Sequence, residues 1–359
     1  MPTNKWPPPN NKSITFTAVP HTTSVSLFTK MGDTAPAKTN TLKLAAVQAA
    51  PVFLHRTATT QKVCSLILEA GKTGADVIGF PEGFIPGHPG WVEVLQLGTP
   101  LARDLFSRLF HEAVEVPGPE VEAIQAACRE ANLYAVVGIT ERRPGTTGTL
   151  YNTQLIIGRD GALLNKHQKY VPTVGERLIH APGTTGSRAS ARTDFGCLSG
   201  LICGENGNPL AQYSLALDYP VVHVASWPPH FQPGVEMQDA IQVISRGLAF
   251  SLGCFVINAV AVMGNDAVEA YGAEDAVDQE TRAFLLQEQS KQRATIVGLG
   301  GGVIAGPLEE SKEGILYADV DAGSVVGAKY GLDYAGHYNR PELFAHHFKR
   351  YFDDHPGSR

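Results

Sequence analysis

The chain has 359 residues, 43% hydrophobic and 18% charged, with a formal net charge of -6. That is the composition of an ordinary soluble globular protein, long enough for one large domain or two modest ones. The mild charge, spread along the chain, leaves no basic footprint for nucleic acid or anionic lipid, and no apolar run approaches the ~20 residues a membrane-spanning helix needs.

Residues 1–40 are rich in Pro, Thr, Ser and Asn, with Asp33 as their single acidic residue. Such a segment cannot bury enough apolar surface to offset its ordering entropy, so a disordered N-terminal extension is expected. It lacks the apolar core and small-residue cleavage site of a secretory signal, and the arginines of an organellar transit peptide. Met31 is an alternative start, and the Asn11-Lys12-Ser13 glycosylation match carries no weight without secretion.

From Thr41 the pattern changes. LKLAAVQAAP (42–51) reads as a buried strand, after which Val63, Leu66, Ile67 and Ala70 recur at helical spacing. ADVIGFPE (75–82) is a second strand, and Val121, Ile124, Cys128 and Ala131 mark an amphipathic helix over 119–132. YAVVGITER (134–142) and LYNTQLIIGRD (150–160) read as paired strands, and Asp160-Gly161 turns the chain into a hairpin with 162–170. LSGLICGE (198–205) leads to a helix from about Pro209, VVHVASW (221–227) to a helix over 236–252, and CFVINAV (254–260) is a further strand. A polar insertion (264–292) reads as an interface element or a mobile loop, and TIVGLGGGVIAGP and EGILYADVD (313–321) follow it. Alternating strands and helices with added hairpins predict one α/β layered domain over 41–348, with a short C-terminal tail (349–359).

Five cysteines (Cys64, Cys128, Cys197, Cys203, Cys254) form no CxxC pair and no zinc spacing. This argues for a reducing, cytoplasmic compartment and against a disulfide framework or structural metal. The twelve histidines show no HExxH or HxE pattern, and His346–His347 read as a solvated surface pair.

Three polar residues end apolar strands: Glu82 in GFPEGF, Lys169 in KHQKYVPT and Cys203 in GLICGEN. Strand carboxyl ends are where open α/β sheets gather reactive groups. Asn208-Pro209 after Cys203 reads as a cap and first turn. A helix N-terminus and a lysine near the sulfur would favour thiolate, the form that attacks. The ordinary alternative for a cysteine in an apolar run is plain burial, the reading for the other four. Glu82 reads equally as a base with a pKa raised by burial and as a surface-turn carboxylate. Lys166, His167 and Gln168 make the Lys169 stretch look solvated.

Five segments in order, FPEGFIPGHPG (80–90), HQKYVPTVGERLIH (167–180), GLICGENGNPLA (200–211), VHVASWPP (222–229) and GHYNRPELF (336–344), resemble the nitrilase superfamily of carbon–nitrogen hydrolases, and its nitrilase branch in particular. The resemblance runs from about Leu42 to Phe344. It implies an αββα sandwich, a Glu82-Lys169-Cys203 triad and a second glutamate, Glu176, supporting the lysine; the residue-level alternative for Glu176 is a loop salt bridge. It further implies hydrolysis of a small nitrile to acid and ammonia through a Cys203 thioimidate, without cofactor or metal. Homodimers building larger oligomers or spirals are the expected self-association, with no nucleic-acid or membrane partner. Where many nitrilases carry tryptophan after the nucleophile this chain has Gly204, which predicts a roomier pocket and some amide release. His88, Trp91, Gly204 and Glu205 are the expected substrate-pocket residues, with loop packing an equal reading for His88 and Trp91. Amide or N-carbamoyl hydrolysis and a weakly active filament protein are the rival functions.

Two other signals are set aside. GGGVIA (300–305) fits a loose dinucleotide pattern, but Gly306-Pro307 prevents a helix from starting there. A Cys-His-Glu glutamine-hydrolase reading of GLICGE would need a partner such as His223, and its glycine spacing differs.

Overall fold

The computed structural model describes residues 40–291, 293–308 and 313–354. Its strands are β1 (Thr41–Ala49), β2 (Val77–Gly79), β3 (Tyr134–Arg142), β4 (Leu150–Ile157), β5 (Leu163–Gln168), β6 (Ser190–Thr193), β7 (Gly196–Ile202), β8 (Pro220–Trp227), β9 (Phe255–Ala261), β10 (Thr295–Val297), β11 (Val303–Ala305) and β12 (Gly314–Asp321). Its helices are α1 (Arg56–Lys72), α2 (Pro100–Glu112), α3 (Pro119–Ala131), α4 (Pro209–Ala216), α5 (Met237–Leu252), α6 (Asn265–Tyr271), α7 (Gln279–Glu288), α8 (Val325–Lys329) and α9 (Ala345–Asp354).

The sheet runs β5-β4-β3-β2-β1-β9-β8-β7-β6, with β12 antiparallel to β1 and β10 paired to β9. Strand side chains alternate between faces, and that alternation builds the layers. On β1, Ala45, Val47 and Ala49 face out with Ile78, Val137 and Leu155 to meet Val63 and Ile67 of α1 and Val121 and Ile124 of α3. The intervening Leu44 and Ala46 face inward with Val77, Val136 and Ile156, against Leu198, Val222, Val224 and Ile257 of the other half-sheet. The outer face of that half is covered by Leu215 of α4 and Ile241 and Leu248 of α5. Helix, half-sheet, half-sheet, helix is the expected αββα order. The halves approach closely at Gly79, where a Cβ would lie 2.7 Å from Val224 Cγ1.

Two helices end in left-handed caps. Asn132 ends α3 in the left-handed region at φ +54, and Gly253 ends α5 likewise. Gly298–Gly302 is the turn of the β10–β11 hairpin, which disposes of the dinucleotide pattern.

Three expectations need correction. The 264–292 segment is not a loose loop: α6 and α7 pack Ala267, Val268, Tyr271 and Leu285 into one cluster with Phe53 and Trp91. His167 and Gln168 are buried rather than solvated, because β5 lies against β4 and its far side meets polar partners from other strands. The tail expected from 349 begins inside α9, whose His346 and His347 are exposed as anticipated. The N-terminal expectations (1–39, with Asn11 and Met31) lie outside the described residues, as do 355–359.

Candidate active site

Glu82 follows β2, Lys169 follows β5, and Cys203 follows β7. The loop after β2 is pinned to the other half-sheet by the Glu82 N–H, which donates to the Trp227 carbonyl at 3.2 Å. All three side chains are buried. Lys169 Nζ donates to Glu82 Oε1 at 2.8 Å and to Glu176 Oε2 at 2.6 Å. Glu176 sits in a 3₁₀ turn (Val174–Leu178) whose entry it caps, accepting the Thr173 N–H at 3.0 Å. The structure thus joins Glu82, Lys169 and Glu176 directly, and the charges of Glu82 and Lys169 both act on the Cys203 thiol.

Two members of this network were not anticipated. Asn152 on β4 donates from one nitrogen to Glu82 Oε1 and Glu176 Oε1, both at 2.7 Å. His180 Nδ1 meets Glu176 Oε1 at 2.9 Å. An asparagine inside the otherwise apolar LYNTQLII strand was the available signal, since buried amides occur where something needs their hydrogen bonds. His180 closes the 167–180 motif but had no periodicity to mark it. Glu82 Oε2, Asn152 Oδ1 and His180 Nε2 are buried without hydrogen-bond partners.

Cys203 is one of the few non-glycine residues at positive φ (+51), a conformation costing about 1–3 kcal/mol. Asn206 holds it there. Its amide donates to the Cys203 carbonyl at 2.9 Å and to the Leu201 carbonyl at 3.2 Å. Its oxygen meets His223 Nε2 at 2.8 Å, and His223 Nδ1 meets Ser199 Oγ at 2.8 Å. His223, the partner required by the glutamine-hydrolase reading, therefore serves the backbone behind the cysteine.

Electrostatics correct the expectation of a resting thiolate. Burial and the Glu82 carboxylate push the Cys203 thiol well above its ordinary value, against Lys169 and the Gly204 N–H. The α4 N-terminus gives less help than its sequence suggested, because a 3₁₀ turn (Cys203–Gly207) intervenes and Asn208 accepts from Leu210 and Ala211 itself. Burial opposes the Lys169 ammonium, yet Glu82 and Glu176 outweigh it and raise its pKa. Burial likewise opposes the Glu176 carboxylate, and Lys169 and His180 hold it well below the usual range.

The expected pocket residues divide. Gly204 is exposed, and a Cβ there would find only Thr173 Oγ1, at 3.8 Å. His88 follows Glu82 with its Nδ1 unpartnered; burial lowers its pKa against Glu82 and Glu176. Trp91 packs on Phe53 and Tyr271 and forms a wall of a largely apolar cavity of about 320 Å³, shared with Val92, Leu95, Phe106, Leu178 and Ile179. Glu205 is already engaged at both oxygens: Oε1 accepts the Tyr170 N–H, and Oε2 accepts the Ile202 N–H and meets His167 Nε2.

The fold places the chain among layered αββα proteins with a polar cluster where the half-sheets meet. Residues 43–330 match the carbon-nitrogen hydrolase family model. The chain is 36% identical to an aliphatic nitrilase from Rhodococcus rhodochrous over 320 residues, covering 87% of this chain and 84% of that one. A nitrilase from Penicillium rubens is 35% identical over 85% of this chain and 92% of its own length. Among solved structures, a carbon-nitrogen hydrolase from Helicobacter pylori G27 superposes with a TM-score of 0.65 at 18% identity, covering 86% of this chain and 99% of that chain. Saccharomyces cerevisiae Nit3, a member of branch 10 of the nitrilase superfamily, gives 0.57 at 17% identity, with 81% and 94% covered. The chain belongs to the carbon–nitrogen hydrolase family of the nitrilase superfamily. No described helix is long and apolar enough to cross a membrane.

Proposed function

We propose that this hydrolase acts on organic nitriles, with Cys203 as nucleophile, Glu82 as general base, Lys169 as the cation at the developing charge and Glu176 as its support. The observation that carries the reading is Glu82 itself. One of its carboxylate oxygens is taken by Lys169 and Asn152, and the other, Oε2, is buried without a partner, while the Glu82 charge helps to raise the pKa of the Cys203 thiol. A free buried acceptor is costly unless a proton or a water arrives there.

The steps follow from those positions. Glu82 Oε2 takes the thiol proton as sulfur attacks the nitrile carbon, and one π bond of the C≡N group moves to nitrogen. Lys169 protonates that nitrogen and is reprotonated by the Glu82 carboxylic acid, leaving a thioimidate on Cys203. Glu82, again a carboxylate, takes a proton from water as the oxygen adds to the thioimidate carbon. Proton transfer to nitrogen expels ammonia and leaves a thioester, and a second water releases the acid and restores the thiol. A donor aimed at developing charge supplies about 2.7–4 kcal/mol, so Lys169→Ala should lower kcat at least ~100-fold. The nitrilase relatives support the substrate class. The open space at Gly204 supports release of some amide from the tetrahedral stage. Self-association is part of the reading, supported by exposed Val243 and Phe250 on α5.

The test is mass spectrometry of the Cys203 peptide after mixing with an aliphatic and an arylacetic nitrile. A thioimidate or acyl mass on Cys203 is expected in wild type quenched with acid during turnover, and neither in Cys203→Ala. Ammonia release persisting in Cys203→Ala would overturn the reading.

A further inference from the structure

We propose that Glu205 and His167 form a clamp that sets the separation of the nucleophile from the lysine, with Glu205 acting as a positioning residue and not as a substrate contact. The inference rests on the functional reading above for the identity of those two groups, but its geometry is independent of the substrate.

Glu205 lies two residues beyond Cys203, in the middle of the 3₁₀ turn, and is buried. The turn brings its carboxylate back beneath the end of β7, where Oε2 accepts the Ile202 N–H at 3.1 Å. The same carboxylate crosses to the end of β5. Oε1 accepts the Tyr170 N–H at 2.6 Å, and Oε2 meets His167 Nε2 at 2.9 Å. Ile202 immediately precedes the nucleophile, and His167 and Tyr170 bracket Lys169. One carboxylate therefore fixes both catalytic segments to each other through three hydrogen bonds, although β5 and β7 lie in different half-sheets.

The donor set explains why a carboxylate is needed. Two donors are backbone N–H groups, and the third is an imidazole nitrogen that must carry its proton on Nε2 to make the bond. His167 Nδ1 is buried without a partner, and the Tyr170 ring stands edge-on to the imidazole with centroids 4.7 Å apart. A hydrogen on Nδ1 would be a buried donor without an acceptor, so Nε2 is the nitrogen that donates. A carboxylate accepts at both oxygens, whereas a glutamine amide would turn a donor towards a donor on one side. Glu205→Gln is thus a near-isosteric change that removes one arm of the clamp.

Catalytic groups displaced by 1 Å can cost ~100-fold in rate, and Lys169 is among the groups that favour the Cys203 thiolate. Loosening the clamp should therefore act on kcat and on thiol reactivity together. The full-length chain is compared as wild type, Glu205→Gln, His167→Leu and His167→Gln. For a nitrile that the wild type hydrolyses, Glu205→Gln and His167→Leu are expected to lower kcat about 10-fold or more, with KM changed less than about threefold. Iodoacetamide should alkylate Cys203 more slowly at fixed pH in both. His167→Gln, whose amide can still donate to Glu205, should recover most of both readouts. A raised KM with kcat intact would make Glu205 a substrate contact and overturn the clamp. So would a lower melting temperature with kcat and alkylation unchanged, which marks a purely structural role. The alkylation arm needs no nitrile, so it separates failure of the clamp from a wrong substrate class. Should Glu205→Gln fail to fold, the His167 pair decides by itself.

Discussion

At the scale of single residues, the site is a set of buried charges whose neutralisation is shared. Glu82 and Glu176 both lean on Lys169 and both on Asn152. Asn152→Leu keeps the volume and removes two charge-assisted hydrogen bonds, each worth about 1.5–3 kcal/mol. Its expected signature is a loss of at least ~2 kcal/mol in urea unfolding together with a fall in kcat; a variant losing neither would make the amide dispensable. Gly204 gives a second prediction. With only Thr173 Oγ1 near a new Cβ and no positive φ recorded there, tryptophan fits without backbone strain. Gly204→Trp should disfavour bulky nitriles over small ones and reduce the amide fraction of product, as scored by ammonia and amide assays. Unchanged selectivity removes Gly204 from the pocket. The candidates Glu82, Lys169 and Cys203 were legible because chemistry-bearing residue types stand at strand ends inside recognisable motifs, whereas Glu176, in a 3₁₀ turn, came from the family resemblance alone. Asn152, Asn206 and the hydrogen bonds of Glu205 to the Lys169 segment were not, because Asn152 pairs with Glu82, Glu205 with His167 and Asn206 with His223 across 70, 38 and 17 residues of sequence. Local spacing carries no trace of such pairings.

At the scale of elements, the strands and the major helices were readable from period-2 and helical spacing, and the αββα order follows from which face of β1 each apolar residue takes. The 264–292 segment was misjudged because its polar composition hides the few residues, Tyr271 and Leu285 among them, that dock it. Leu285→Ala should accordingly destabilise the chain by about 2–5 kcal/mol, the range for emptying a buried leucine site; a mobile loop would lose nothing measurable. The loop bearing Glu82 depends on a residue no pattern flagged. Gly138 on β3 lies so close beneath it that a Cβ would stand 2.1 Å from the Pro81 carbonyl oxygen and 2.9 Å from the Gly83 nitrogen. Both obstacles are backbone, so Gly138→Ala must lift the loop and Glu82 with it. An activity loss of about 10-fold or more with the fold retained by circular dichroism is expected. Wild-type kcat in a folded Gly138→Ala would show that Glu82 tolerates displacement.

For the whole molecule, the buried histidines make acid a direct threat to the fold and, through it, to the nucleophile. Burial holds His223 at about 3 and His230 at about 4, whereas in the unfolded chain both titrate near 6.5. Below pH 6.5 the unfolded state therefore binds protons that the folded state refuses, and stability falls as pH drops, by about 1.4 kcal/mol per pH unit for each histidine. Glu176, held low by Lys169 and His180, adds loss in the same direction once the pH falls through the ordinary carboxylate range, where the unfolded carboxylate takes up a proton and the folded one still refuses it. His223 is the more consequential of the two histidines, because the Ser199 hydroxyl faces its Nδ1 and its Nε2 supports Asn206, which in turn holds Cys203 at φ +51. A proton on Nδ1 would confront the hydroxyl donor and loosen that chain of contacts. Urea unfolding of wild type and His223→Gln at pH 7.5, 6.0 and 5.0 isolates the contribution, since the slope against pH is read independently of any constant loss in the variant. The wild type should lose stability faster per pH unit than His223→Gln by about 1.4 kcal/mol. Equal slopes would mean that His223 takes up its proton in the folded protein without cost, and the network behind the cysteine would then be softer than its hydrogen bonds imply.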